Sequence, residues 1–124
     1  MSAAATGPAG FQRACAVSDI PEDRALAVTL ATPSGAGLDL AVARDGEEVF
    51  ALQDVCSHAA VALTEGEVAD CQIECWLHGS TFDLRTGKPT VLPATEPVAT
   101  FPVEVRSGDV YVDATTTLNG VTPS

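Results

Sequence analysis

The sequence predicts an all-β fold of antiparallel sheets, a sandwich or barrel base with a small subdomain inserted into it. Three observations carry this. Short apolar runs recur, turns rich in Gly, Pro, Asp and Ser separate them at regular intervals, and no stretch sustains a helical period. A length of 124 residues suits one domain with a modest core, and there are no internal repeats.

Taken in order, Met1 to Gly10 is small and polar and reads as a flexible tail. Phe11 to Val17 alternates weakly and forms a first strand. Ser18 to Asp23 is a loop, because Pro21 bars regular pairing. Ala25 to Leu30 and Leu38 to Arg44 are strands joined by the turn chemistry of Pro33-Ser34-Gly35-Ala36-Gly37. Asp45-Gly46 then leads into Glu48–Leu52, a hairpin signal, since Gly accepts the positive φ of a tight turn. The alanines around Ala59 to Leu63 suit one short turn. Val98 to Arg106 and Val110 to Asp113 flank Ser107-Gly108-Asp109 as a last hairpin, and 114–124 is a C-terminal tail. The main domain is thus 11–113, with the segment of about 54–93 inserted as a subdomain. Val49, Phe50 and Leu52 before that segment, and Phe101, Val103 and Val105 after it, are the expected core.

Charge limits the partners. Seventeen Asp and Glu stand against six Lys and Arg, a net charge of -11. Nucleic acid is excluded, because its binding depends on cations that neutralise phosphates. A basic protein surface fits, although the same charge also serves solubility alone. No run approaches the roughly 20 apolar residues of a membrane span. The first residues have neither the basic nor the apolar region of an export signal, so a cytoplasmic protein is expected. In that setting four cysteines beside two histidines point to metal ligation rather than disulfides.

The ligand pattern is Cys56-Ser57-His58, a spacer of sixteen residues, then Cys75-Trp76-Leu77-His78. Two turns each deliver one thiolate and one imidazole, the donor set of a mixed-ligand iron–sulfur cluster. The rival reading of the same four side chains is a Cys2His2 structural zinc site, whose usual closed spacing the C-x-H and C-x2-H pattern matches less well. That rival would make the chain a zinc-stabilised binding module without redox activity.

Residues 54–93 run from Asp-Val-Cys-Ser-His through Ile-Glu-Cys-Trp-Leu-His-Gly-Ser-Thr-Phe-Asp-Leu-Arg-Thr-Gly-Lys-Pro to Leu-Pro. This stretch resembles the cluster-binding region of Rieske-type ferredoxins, and the flanking strand pattern extends the resemblance from Ala14 to Asp113. The resemblance implies a Rieske-type (iron–sulfur protein) fold holding one [2Fe-2S] cluster. Cys56 and Cys75 would ligate one iron, His58 and His78 the other. It further implies a soluble, monomeric one-electron carrier that is not catalytic by itself. Such a carrier serves an NAD(P)H-dependent flavin reductase and a terminal non-haem iron oxygenase. The same run is also similar to Rieske ferredoxins encoded beside iron–sulfur assembly proteins in actinobacteria, which makes assembly proteins the alternative partners. Cluster-based redox sensing is a third setting.

Neighbouring residues qualify the resemblance. Ser80 stands where high-potential members place a serine that donates to a bridging sulfide, though a plain turn residue after Gly79 reads equally well. Phe82 replaces a tyrosine donor of that class, and the loop residues Ala59-Ala60-Val61 and Trp76-Leu77 lack its disulfide cysteines. A potential in the lower half of the Rieske range follows, roughly -150 to +50 mV. Pro93, in Leu92-Pro93, resembles the family's proline loop over the cluster. Trp76 shields the cluster, anchors a partner or simply packs on its loop. Glu65, Glu67, Asp70 and Glu74 form either a docking face or a solvated hairpin. Cys15 and Cys71 are expected to be small, buried, reduced cysteines, with a spare-ligand role conceivable for Cys71.

Two ferric ions, two sulfides and two thiolates sum to zero charge with neutral imidazoles, so reduction is easier than in an all-cysteine centre. Ferric iron also lowers the pKa of the ligand imidazoles. The midpoint potential should therefore fall as pH rises through those values; potentiometry that finds it flat into strongly alkaline solution would contradict this.

Overall fold

The computed structural model describes residues 11–32, 35, 37–56, 61–76, 79–91 and 94–121. The expected N-terminal tail, His58, His78 and Pro93 lie outside the described residues. The described chain is almost entirely antiparallel sheet. Strands β1 (Phe11–Ala16), β10 (Asp109–Asp113) and β9 (Val103–Arg106) form one sheet in that order. A second sheet runs β2 (Leu26–Ala31), β3 (Gly37–Asp45), β4 (Glu48–Gln53), β8 (Thr100–Phe101). The third is small: β5 (Val68–Ala69), β6 (Gln72–Glu74), β7 (Thr81–Asp83), inserted in sequence between β4 and β8.

Turn chemistry sets the hairpins. Gly46, with φ of 64°, opens the two-residue connection between Asp45 and Glu48. The turn residues are thus Gly46-Glu47, with Asp45 still paired in β3. At the last hairpin, Ser107 and Gly108 both adopt positive φ, as the twist of a tight hairpin requires. In β1 the register against β10 slips between Arg13 and Cys15, a bulge that leaves Ala14 unpaired.

Burial divides along the second sheet. Leu40, Ala41, Val42 and Ala43 are all fully buried, so β3 is covered on both faces. Leu40 and Val42 join a core with Cys15, Leu30, Phe101, Val110 and Val112 from the first sheet side. Ala41 and Ala43 face the opposite core, with Leu52, Leu63, Ile73, Phe82 and Leu84. Strand β4 alternates in the same way: Val49 and Ala51 serve the first core, Phe50 and Leu52 the second.

Two expectations change. Val98 to Arg106 is two strands in different sheets, not one. Pro102 has no N–H to give a ladder, and the chain crosses there from β4's edge to β10's. Of the expected core, Leu52 and Phe101 are buried, while Val49, Phe50 and Val103 are partly so. Val105 is 45% exposed and is not core. It sits at the turn end of β9, the outer strand of a three-stranded sheet.

The segment after β10 is tied down. Leu118 N–H donates to Thr100 O at 2.8 Å, and Asn119 Nδ2 donates to Val98 O and Thr86 O at 2.8 and 2.9 Å. Asn119 thereby joins the base to the turn that follows β7. A second tie comes from Arg85, whose guanidinium makes a two-pronged pair with Glu48 at 2.7 and 2.5 Å and lies over the Phe50 ring. Among the described residues no helix is long and apolar enough to cross a membrane.

The hydrogen bonds from Arg85 hold the Glu48 carboxyl below its usual value. A lowered folded-state pKa adds stability above the unfolded value, and that stability disappears as pH falls through the folded one. Glu48→Gln should therefore melt slightly below wild type at neutral pH. The difference should shrink as pH falls below about 4, the ordinary carboxylate value, and vanish only below the lowered folded-state one; melts across that range check it.

Candidate metal centre

Two segments leave the second core, each starting from a buried cysteine. The first begins where β4 ends. Gln53 still pairs with Leu40, Asp54 N–H donates to Asp39 O at 3.0 Å, and Cys56 N–H donates to Val61 O at 2.9 Å. The second is the tip of the β6–β7 hairpin. Its ladder runs Gln72↔Asp83, Ile73↔Phe82 and Glu74↔Thr81. It continues with Cys75 N–H donating to Ser80 O at 2.6 Å. Each cysteine thus closes its loop in the same way, through its own N–H to the carbonyl five residues on. Gly79 takes a φ of 76° within the second tip, and its N–H donates to Cys75 O at 2.9 Å. A side chain there would be strained.

The base of each loop is held by apolar packing. Cys56 and Cys75 are 2% and 0% exposed and belong to one core with Leu63, Ile73 and Phe82. No disulfide joins any of the four cysteines. The intervening segment turns through Leu63–Glu65 and then passes β6 at Gly66. A Cβ at Gly66 would sit 1.6 Å from Glu74 O, so only glycine allows the two strands of backbone this close.

A third loop covers the second. Thr90 N–H donates to Thr81 O at 2.7 Å, and Ala94 N–H donates to the Ser80 hydroxyl at 3.0 Å. Ser80 is fully buried. Its oxygen accepts from Ala94, and its own proton goes to no described residue. A hydroxyl both accepts and donates, so the bond from Ala94 uses only one side of what Ser80 can offer. Two buried thiols in one core, with a buried hydroxyl on the segment of the second, fit a sulfur-rich cluster. Thiolate ligands and sulfide are the acceptors such a site would offer. Among the described residues no three His, Cys, Asp or Glu gather as a metal site, and both expected histidine ligands lie outside them.

The other sequence candidates separate. Trp76, next to Cys75, is 49% exposed and so is available at the rim of the second loop. Glu65, Glu67 and Asp70 are exposed and Glu74 is half-buried. Cys15 is buried in the opposite core, and desolvation raises its thiol pKa, with Asp19 adding to the effect. Cys71 is only half-buried, and desolvation likewise raises its pKa while nearby Arg85 opposes it.

Cys71 occupies the Asp70-Cys71 turn between β5 and β6, at the far end of β6 from the ligand tip. Four residues of strand put it about 13 Å from Cys75, beyond reach of the same cluster. The spare-ligand role therefore fails on geometry. Several functional contacts gave no sequence signal: the Asn119 tie, the Gly66 approach, and the pair of bonds from Thr64 to Asp54 at 2.9 Å each. An aspartate two residues before a cysteine announces no such partner.

Residues 10–102 match the Rieske [2Fe-2S] domain family. The ferredoxin subunit of 3-phenylpropionate/cinnamic acid dioxygenase from Escherichia coli (strain K12) is 40% identical over 101 residues, covering 81% of this chain and 90% of that protein. Among solved structures, a chain of the complex of reduced oxygenase and oxidised ferredoxin in carbazole 1,9a-dioxygenase is similar, with a TM-score of 0.75 and 36% identity. The match covers 87% of this chain and 96% of that one. The Sphingomonas yanoikuyae B1 ferredoxin gives a TM-score of 0.74 at 33% identity, covering 82% and 95%.

Cys71 has a φ of 60°, a left-handed conformation that costs a side chain roughly 1–2 kcal/mol and a β-branched one more. Cys71→Val should be less stable than Cys71→Gly by about 1–2 kcal/mol in urea unfolding, with equal cluster content in both.

Proposed function

We propose, from the premise that this chain belongs to the Rieske [2Fe-2S] domain family and carries one cluster of that type, that it is the ferredoxin component of a multicomponent oxygenase. In this reading it takes one electron from an NAD(P)H-dependent flavin reductase and passes it to a terminal non-haem iron oxygenase. The observation that carries the ligand assignment is the burial of Cys56 and Cys75 in one core, on two loops closed by the same backbone bond. His58 and His78, each within three residues of one of these cysteines, complete the set. The cluster supplies a one-electron couple, raised by imidazole ligation above that of all-cysteine centres.

The chain's own residues do the rest. The two buried thiols are kept from water by Leu63, Ile73 and Phe82. Ser80, its oxygen fixed by Ala94 N–H, would donate to a sulfur of the bound cluster and so favour the reduced, more negative state. Phe82 offers no such donor, which keeps the potential in the lower part of the family's range. Trp76 stands exposed on the rim as a contact for a partner.

Partner choice follows from charge. Four of the six Lys and Arg are already in ion pairs: Arg13 with Asp109, Arg44 with Glu22, Arg85 with Glu48 and Arg106 with Glu104. The acidic excess is therefore left facing solvent, with Glu65, Glu67 and Asp70 on the segment between the two loops. A basic reductase or oxygenase surface would be steered toward it. The names of the related ferredoxin subunits support the oxygenase setting over cluster assembly.

Anaerobically purified protein should be red-brown, bleach reversibly with dithionite, and contain iron and acid-labile sulfide in equal amounts. His78→Cys should keep a cluster with a potential lower by on the order of 100 mV, and His78→Ala should lose it. Electron delivery to a basic partner should slow about tenfold between roughly 0.05 and 0.5 M salt. Colourless protein holding a single zinc ion would sink the assignment.

A further inference from the structure

We propose that Asp54 is a positioning residue for the first ligand loop, a carboxylate clamp that does for Cys56 what a strand ladder does for Cys75. This rests on the ligand assignment above. The two loops are supported differently. Beneath Cys75 the β6–β7 ladder runs without a break up to the Cys75–Ser80 bond. The support at Cys56 is of another kind, with Val55 N–H donating to Gln53 O and Cys56 N–H to Val61 O, both at 2.9 Å. Chain returning from Val61 enters the short helical turn Leu63–Glu65 instead of a strand.

That turn has an unmet need. The first N–H groups of any helical turn lack partners within it, and a capping side chain usually accepts from them. The residue in the capping position is Ala62, whose methyl group accepts nothing. Asp54 supplies the acceptor from across the loop. Its Oδ1 takes the Thr64 N–H at 2.9 Å and its Oδ2 takes the Thr64 hydroxyl at 2.9 Å. Its own N–H donates to Asp39 O at 3.0 Å, which anchors the clamp to β3. Both ends of the nine residues 55–63 are thus pinned by one side chain, and the Cys56–Val61 bond lies inside that bracket. Leu63, fully buried next to Cys56 in the core, is placed by the same turn.

Geometry rather than charge is the claim. Asparagine keeps one acceptor for Thr64 N–H and can turn its amide N–H toward the Thr64 oxygen, so it preserves the bracket. Alanine preserves nothing. Thr64→Ser retains both donors, and Thr64→Val retains only the backbone one.

The test uses cluster-loaded protein prepared anaerobically. Iron and sulfide per chain, the rate of cluster loss to an iron chelator, and the EPR g-values after dithionite reduction are compared across the variants. Asp54→Ala should lose its cluster about tenfold faster or more, as outer partners of metal ligands commonly do, and its g-values should shift or broaden. Asp54→Asn and Thr64→Ser should stay within about twofold of wild type in rate, with unchanged g-values. Wild-type rate and g-values in Asp54→Ala would overturn the clamp, as would an Asp54→Asn protein that loses its cluster as fast as Asp54→Ala. If Asp54→Ala yields no soluble protein, Thr64→Val decides: faster loss than Thr64→Ser supports the clamp, and equal loss overturns it. Wild-type protein that never holds a cluster would instead overturn the ligand assignment, and would be seen before any variant is compared.

Discussion

Leu40, Ala41, Val42 and Ala43 expose no surface, and the whole molecule is arranged around that four-residue stretch of β3. A strand covered on both faces has to serve two cores, and its side chains alternate between them. The larger pair, Leu40 and Val42, packs against the sheet of β1, β9 and β10. The smaller pair, Ala41 and Ala43, meets the layer that contains Cys56 and Cys75. Short side chains on that side of β3 leave room for the layer that contains the two cysteines, whereas β4 reverses the sizes, with Ala51 toward the first core and Leu52 toward the cysteine layer. Close packing of this kind transmits position, because interiors at crystalline density do not deform smoothly. The second sheet is therefore a rigid floor for the loops that start at Cys56 and Cys75.

Above that floor the loops are held by directional bonds rather than by more apolar mass. Backbone bonds from each cysteine N–H close the loops, the Ser80 hydroxyl ties the second loop to the covering loop at Ala94, and Asp54 with Thr64 brackets the first. Such bonds hold a cofactor's ligands at fixed positions at little cost in surface area. Trp76, beside the buried Cys75, is half exposed. Ties at the periphery complete the frame. Arg85 reaches from the turn after β7 back to Glu48 and Phe50, and Asn119 joins that same turn to Val98. Both ties fasten the inserted layer to the base at the turn after β7.

Much of this was legible before any coordinates. Hairpins at Gly46 and at Ser107-Gly108 follow from residues that accept positive φ, and the strands around them from apolar runs bounded by turns. The pairing of a C-x-H with a C-x2-H pattern is specific because few cofactors use two thiolates and two imidazoles. Other features stayed hidden for physical reasons. Pro102 sits inside one apolar run, and only pairing reveals that the residues before and after it belong to different sheets. Val105 reads as core because alternation gives a face but not what covers it. Cys71 stands four residues from Cys75 in sequence yet at the opposite end of a strand, so closeness along the chain misled about closeness in space.

The amino-acid sequence by itself determined the fold class, the turn positions and the kind of cofactor, because these depend on local backbone preference and on donor chemistry. Only the tertiary structure decided which side chains support the ligand loops. The partners of Asp54, Ser80 and Asn119 lie ten, fourteen and twenty-one residues away. Contacts at that separation arise from how the layers stack, and no periodicity or spacing along the chain encodes them.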